Sequence, residues 1–315
     1  CDDIDDRLLD VLDALNQERT VGWEIEESLL RRFGNALSDG QNAVIGGGVG
    51  GFAPLRVDRI DGVPVVKHAL ISGLAPGDTI TSLDGLDVQD WYAAQMAKTS
   101  AATDGHRFAL ATTLYLEQRQ QPLDIAVRHD AGGATTTVPL DDGTLYNSLP
   151  PLHSLRPAGW LADLGAPNTY FINLDEQVLS SGESGAADFQ DALNTAAGAD
   201  ALILDMRGHL AIDLAEVVTR VVDHTVFLPL FRTPFWRGID DKSWATVQDS
   251  VVPATFGPTY FDGPIALLVG PSTIGLDEEL AITLVAATRV TVVGRATAGT
   301  ARTPSTSAAM PPIFS

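Results

Sequence analysis

GPIALLVGPSTIGLDEELAITLVAATRVTVVGRATAGT, residues Gly263 to Thr300, sets the class of the fold. Ile265 to Val269 and Val290 to Val293 are short, β-rich apolar runs bounded by Gly and Pro, the pattern of strands buried on both faces. Between them, Leu276 to Ala287 has the length and composition of a helix, so the stretch predicts strand, tight turn, helix and strand. In an open α/β sheet the carboxyl end of a strand, where it hands over to a helix N-terminus, is the usual seat of a reacting group. The turn Gly270 to Gly275 therefore carries the functional question.

Upstream, Ala201 to Met206 reads as another buried strand, Arg207-Gly208-His209 as its turn, and Leu214 to Val222 as the next helix. Tyr170 to Leu174 reads as a strand and Asp188 to Ala197 as a helix. This alternation predicts a layered α/β core over residues 169–315 with mainly parallel strands. Phe227 to Trp244 gathers five aromatics among Pro, Arg and Asp and reads as a partly exposed excursion. Residues 141–168 are aperiodic and read as a linker. Residues 46–140 read as a β-rich module, and residues 1–45 as a helical segment with apolar residues at Ile4, Leu8, Leu12, Leu15, Trp23, Leu29, Leu30 and Phe33.

The chain has 315 residues, 45% hydrophobic and 19% charged, and a net charge of -21. That charge repels phosphate backbones and anionic lipid, so neither nucleic acid nor a charged membrane surface is an expected partner. Three lysines (Lys67, Lys98, Lys242) leave few catalytic amines. No apolar run reaches membrane-spanning length. The single cysteine is Cys1, where a bacterial lipoprotein carries its lipid, with Asp2-Asp3 as the start of a polar tether. On that reading the protein is extracytoplasmic and any membrane attachment is through lipid on Cys1. Without ligand spacings or a phosphate loop, no metal or nucleotide cofactor is expected.

Leu70-Ile71-Ser72-Gly73-Leu74-Ala75-Pro76-Gly77-Asp78-Thr79-Ile80-Thr81-Ser82-Leu83-Asp84-Gly85 is similar to the core of a PDZ domain of the bacterial permuted type. Such modules bind extended chain ends by adding a strand and holding the carboxylate on backbone amides. Gly50, Gly51 and Phe52, in the glycine cluster Gly46 to Phe52, lie where that carboxylate loop is expected. A helical segment ending in Asp39-Gly40, the PDZ-like module, Leu204-Asp205-Met206-Arg207-Gly208 and Gly294-Arg295-Ala296-Thr297-Ala298-Gly299 follow in one order. That order resembles the C-terminal-processing (tail-specific) and tricorn-like serine peptidases. The resemblance implies a crotonase-like α/β core with an inserted PDZ-like domain, and polypeptides or protein C-termini as partners.

The same resemblance assigns the chemistry. The family's nucleophile stands three residues before the first Glu of the helix, as in Ser-Ala-Ala-Glu; here that position is Gly275. Glycine has nothing with which to attack. The base of one branch, a Lys in a Gly-Lys pair, falls at Thr300. The base of the tricorn-like branch, a His in Leu-x-Asp-Gly-His, falls at Gln41, which does not titrate near neutrality. The Arg-Gly-Asn-x-Gly-Gly turn reads Arg207-Gly208-His209-Leu210-Ala211-Ile212, and Gly208, His209 and Leu276 are the matching oxyanion and substrate positions.

These departures together predict a polypeptide-binding homologue that does not cleave. Two alternatives stand beside it: an active endopeptidase whose nucleophile was engineered away or relocated to Ser272, and a non-catalytic scaffold. Asp277, Glu278 and Glu279 read as acids favoured by the helix dipole, and His106 as a cap of the helix that follows it.

Overall fold

The computed structural model describes residues 53–118, 123–129, 135–140, 149–180, 182–238, 241–248, 251–252 and 260–300, with the single positions Leu9, Asp13, Leu29, Arg31 and Asn35. Those five single positions are all helical. The chain divides into two compact units, residues 1–155 and 156–315.

In the first unit β1 (Leu55–Ile60) and β2 (Val63–Ala69) form a hairpin across Asp61 and Gly62. Both turn residues have positive φ, 50° and 82°, as a two-residue turn matched to strand twist requires. β3 (Thr79–Leu83) and β4 (Leu86–Asp87) repeat the device at Asp84 and Gly85. Two helices follow, α1 (Val88–Met96) capped by Asp87 and α2 (Asp104–Ala111) capped by Thr103. His106 is thus no cap: it lies inside α2, buried, and its amide is the one that the Thr103 hydroxyl receives. A π-helical turn (Thr112–Glu117) leads to β5 (Leu123–Arg128) and β6 (Thr135–Leu140). The sheet runs β1-β2-β3-β5-β6, antiparallel throughout, with β4 beside β3.

Buried residues of this sheet (Leu55 and Val57, Ile80 and Leu83, Ile125 and Val127) meet Trp91, Tyr92, Phe108 and Leu116 in one core. In the Pro-Gly-Asp turn Asp78 is buried and its carboxylate receives the Ala75 amide at 2.7 Å, which closes the turn. Residues 71–78 hold only turns, bends and irregular backbone, so no helix leads directly into β3.

The second unit opens with β7 (Gly159–Leu161), inside the stretch read as a linker, because these residues pair antiparallel with β8 (Ala166–Asn173). Then come α3 (Glu183–Thr195), β9 (Ala201–Asp205), α4 (Leu214–Val221), β10 (Val226–Phe227), β11 (Leu230–Gly238), β12 (Asp241–Gln248), β13 (Val251–Val252), β14 (Ile265–Val269), α5 (Leu276–Ala287) and β15 (Val290–Gly294). The aromatic-rich stretch is the β11–β12 hairpin. The main sheet runs β7-β8-β9-β14-β15, with β8, β9, β14 and β15 parallel. Its core joins Ile172, Leu202, Leu204 and Leu267 to Phe189 and Leu193 of α3, Val217 and Val221 of α4, and Leu280 and Leu284 of α5.

β15 differs from expectation. It was read as buried, yet Val292 and Val293 are 48% and 46% exposed. Among the described residues it is the last strand on its side of the sheet, so its apolar composition reflects pairing with β14 and not cover on both faces. Two helix entries share one backbone conformation. Gly182, before α3, has φ 64° and ψ −134°; Gly275, before α5, has φ 65° and ψ −119°.

Candidate functional site

The site is built where β9 and β14 end side by side, with Asp205 opposite Leu268. Two turns leave there, residues 206–212 and 270–275. Thr273 binds one to the other. Its buried hydroxyl donates to the Met206 carbonyl at 2.7 Å and receives the Gly270 amide at 3.0 Å. A hydroxyl is the side-chain group that can do both at once.

Asp205, 1% exposed, fixes the first turn by taking Arg207 Nε at 2.8 Å and Nη2 at 2.6 Å in a two-pronged ion pair. The paired carboxylate pushes the Arg207 guanidinium further above its usual range. Two further carboxylates hold successive amides of the same turn. Asp175 receives the His209 N–H at 2.8 Å, and Asp277 receives the Leu210 N–H at 3.1 Å. Asp175 and Asp277 are 2% and 4% exposed. Burial pushes the Asp277 carboxyl up to about 6, against the pull of the Leu210 amide and of nearby His209, with Asp175 adding to the rise.

The second turn is anchored by α5 itself. Glu278 bonds the Thr297 hydroxyl and receives the amides of Gly299 at 2.7 Å and Thr300 at 2.6 Å. In return the Thr300 carbonyl receives the Gly275 N–H at 3.0 Å, and the Thr273 carbonyl receives Ala298 N–H at 3.0 Å. The Gly-x-x-Thr-x-Gly run thus reads as a strap: Thr297 and Gly299 meet Glu278. Gly294 has its own reason, since a Cβ there would stand 2.1 Å from the Val269 carbonyl oxygen.

Gly275 sits at the centre of these ties, buried and with φ 65°. A side chain there would be held in a conformation that L residues adopt only under strain. The amides of Gly208 and Leu276 have no hydrogen-bond partner among the described residues. Leu276 is the first residue of α5, where an amide has no partner within the helix. Of the expected site residues, Gly275, Leu276, Gly208 and His209 therefore gather at the ends of two adjacent strands. Ser272 lies in the same turn but is exposed, and Leu276 is 57% exposed. Gln41, Gly50, Gly51, Phe52 and Cys1 fall outside the described residues.

The sequence reading missed Asp277 and Glu278. From the sequence they read as acids favoured by the helix dipole, yet both are buried and tied to neighbouring turns. The signal was present. Successive helix residues are about 100° apart, so three acids in a row cannot all face water. Among the described residues no group of three or more His, Cys, Asp and Glu could hold a metal ion, and no helix is long and apolar enough to cross a membrane.

No family model matches this chain, and no curated protein matches it in sequence. Solved structures do. Mature CPAF complexed with lactacystin is 14% identical, with a TM-score of 0.67 over 93% of this chain and 78% of that one. A serine-to-alanine mutant of CPAF gives 0.70 over 94% and 78%, again at 14% identity. The photosystem II D1 C-terminal processing protease aligns at 17% identity over 81% of this chain and 62% of that one, but its TM-score of 0.33 adds no weight. In fold, the chain is similar to CPAF.

Proposed function

We propose that this protein is a non-cleaving homologue of the tail-specific and tricorn-like serine peptidases that binds polypeptide segments. One observation carries the reading. The turn between β14 and α5 is held by Thr273, Glu278 and Thr300, and the residue at the position the resemblance gives to the nucleophile is Gly275, without a side chain. Thr300, whose carbonyl takes the Gly275 amide, stands where one branch of the family has its lysine, and Gln41 where the other has its histidine. The first unit, with its Pro-Gly-Asp turn and antiparallel sheet, supports a PDZ-like reading in which an extended chain end adds a strand. Lipid on Cys1 and an extracytoplasmic place belong to the same proposal.

The test is incubation with unfolded proteins and peptide libraries, followed by binding measurements and mass spectrometry of termini. Binding without new termini is the expected result. Cleavage that disappears in Ser272→Ala would overturn the proposal in favour of a relocated nucleophile. Gly275→Ser, alone and with Gln41→His, distinguishes an engineered trap, which regains activity with the single change, from a site that has lost its base as well. A scaffold role is the outcome if no peptide binds at all.

A further inference from the structure

β15 ends its sheet with no strand beside it among the described residues, and it exposes apolar side chains on both faces. We propose that this edge docks an extended segment of another protein, which adds a strand beside β15 and carries a run of apolar residues between two carboxylate side chains. The surface is distinct from the turns after β9 and β14, and binding at the one does not depend on binding at the other.

The backbone of β15 is open on one side. In a parallel pair, alternate residues turn both N–H and C=O to the same neighbour. The Arg289 carbonyl receives the Ile265 N–H at 3.2 Å, and Arg295 donates its own N–H to the Val269 carbonyl at 3.2 Å, so odd-numbered residues of this stretch face β14. Val292 therefore turns its N–H and C=O outward. So does the carbonyl of Val290, whose N–H goes to Thr288. Such a row of backbone groups is a template for another strand.

Side chains supply an apolar seat on each face. Leu267, the register partner of Val292, is buried in the core that holds Leu280 and Leu284 of α5, so Val292 lies on the side of α5 and Val293 on the other. On α5 itself Ile282 and Val285, one turn apart, are 46% and 51% exposed. Past its first turn this helix carries no charge on any side, the composition of a helix that is covered. Charge then selects the occupant. From Leu280 to Thr300 the only charged residues are Arg289 and Arg295, one just beyond each end of β15, in a chain of net charge -21. They are set about 20 Å apart along an extended strand. A second copy suits this edge poorly. In the antiparallel register of fullest overlap, centred on Val292, Arg289 of each copy would face Arg295 of the other, and like charges opposite each other destabilise a strand pair. A segment with an acid at each end meets attraction instead.

The test uses the whole chain in about 0.15 M salt and two fluorescein-labelled peptides with blocked ends, Asp-Thr-Val-Ile-Val-Thr-Asp and the same sequence with Lys in place of Asp. Fluorescence anisotropy gives the two affinities. The Asp peptide should bind about fivefold more tightly, the scale of an exposed ion pair. That preference runs against the net charge of the chain, which draws the Lys peptide. Arg289→Glu should reverse it. Val292→Pro removes a donor that faces away from β14, where an edge strand tolerates proline, and should weaken both peptides about tenfold; a thermal melt checks that the variant is folded. If it is not, the reversal in Arg289→Glu decides alone. Equal affinities, tighter binding of the Lys peptide, no binding of either, or a preference unchanged in Arg289→Glu would each overturn the proposal. Binding untouched in a folded Val292→Pro would also overturn it, while leaving the polypeptide-binding reading above in place. A dimer in sedimentation velocity that Val292→Pro abolishes would give the edge to a second copy, against the proposal.

Discussion

The hydroxyl of Thr273 donates to the carbonyl of Met206 at 2.7 Å, joining two turns that lie 67 residues apart in the chain. Thr273→Val keeps the shape of the side chain and removes both of its hydrogen bonds. It leaves the Gly270 amide and the Met206 carbonyl buried without that partner, which costs about 2–4 kcal/mol. The urea midpoint should fall while the slope stays constant. Ser272→Ala, one residue earlier but exposed, should stay within about 0.5 kcal/mol of the parent.

Glu278 is the second anchor. Its carboxylate takes three donors from residues 297–300, and an amide side chain would present an N–H to some of them. Glu278→Gln should lower stability by about 1–3 kcal/mol. Hydrogen exchange should accelerate at the Gly299 and Thr300 amides more than in β9. Unchanged protection there would remove Glu278 from its role as an anchor.

Asp277 makes stability depend on pH in an unusual direction for an acid. Its folded-state value, about 6, lies above the ordinary carboxylate range. The folded state therefore holds its proton more tightly than the unfolded state, so this contribution is fully present below pH 4 and is lost as pH rises through 6. Asp277→Asn should be close to neutral at pH 4 and stabilising by about 1–3 kcal/mol at pH 8. Thermal melts of both proteins across that range provide the measurement, and a constant difference would contradict the assignment.

Gly294→Ala tests the strap from the other side. The added carbon would stand 2.1 Å from the Val269 carbonyl oxygen, and φ is 131°, where only glycine rests easily. The expected loss is about 3 kcal/mol or more, enough to threaten soluble expression. Gly270→Ala is the contrast, since its new carbon would meet only the Arg207 side chain at 3.8 Å.

In the second unit β8, β9, β14, β15 and the helices between them were legible because each strand carries a short apolar run and each crossover has one helix, whereas the β11–β12 hairpin lies in a stretch that read only as an excursion. Leu276 to Ala287 is the helix read from the sequence, residue for residue. β7 was not legible: three residues beginning with Gly159 carry no alternation of their own, and their strand character comes from pairing with Tyr170 and Phe171. The exposure of β15 was hidden for a related reason, since Val292 and Val293 read the same whether or not another layer covers them. At the site, position could be read and environment could not. Motif order points to Gly275, Gly208 and Leu276, whereas the tie of Asp277 is to the amide of Leu210, 67 residues earlier in the chain.

Gly182 and Gly275 enter their helices with nearly the same backbone angles, yet the first has no part in the site. The bend at residue 275 is therefore one of the ways this sheet passes a chain into a helix, used before α3 and α5 but not before α4, and any catalytic use would borrow it. It also sets a cost on any side chain added there. A glycine at 275 rests where a serine would be strained by about 1–3 kcal/mol, so Gly275→Ser gains a hydroxyl only by giving up stability.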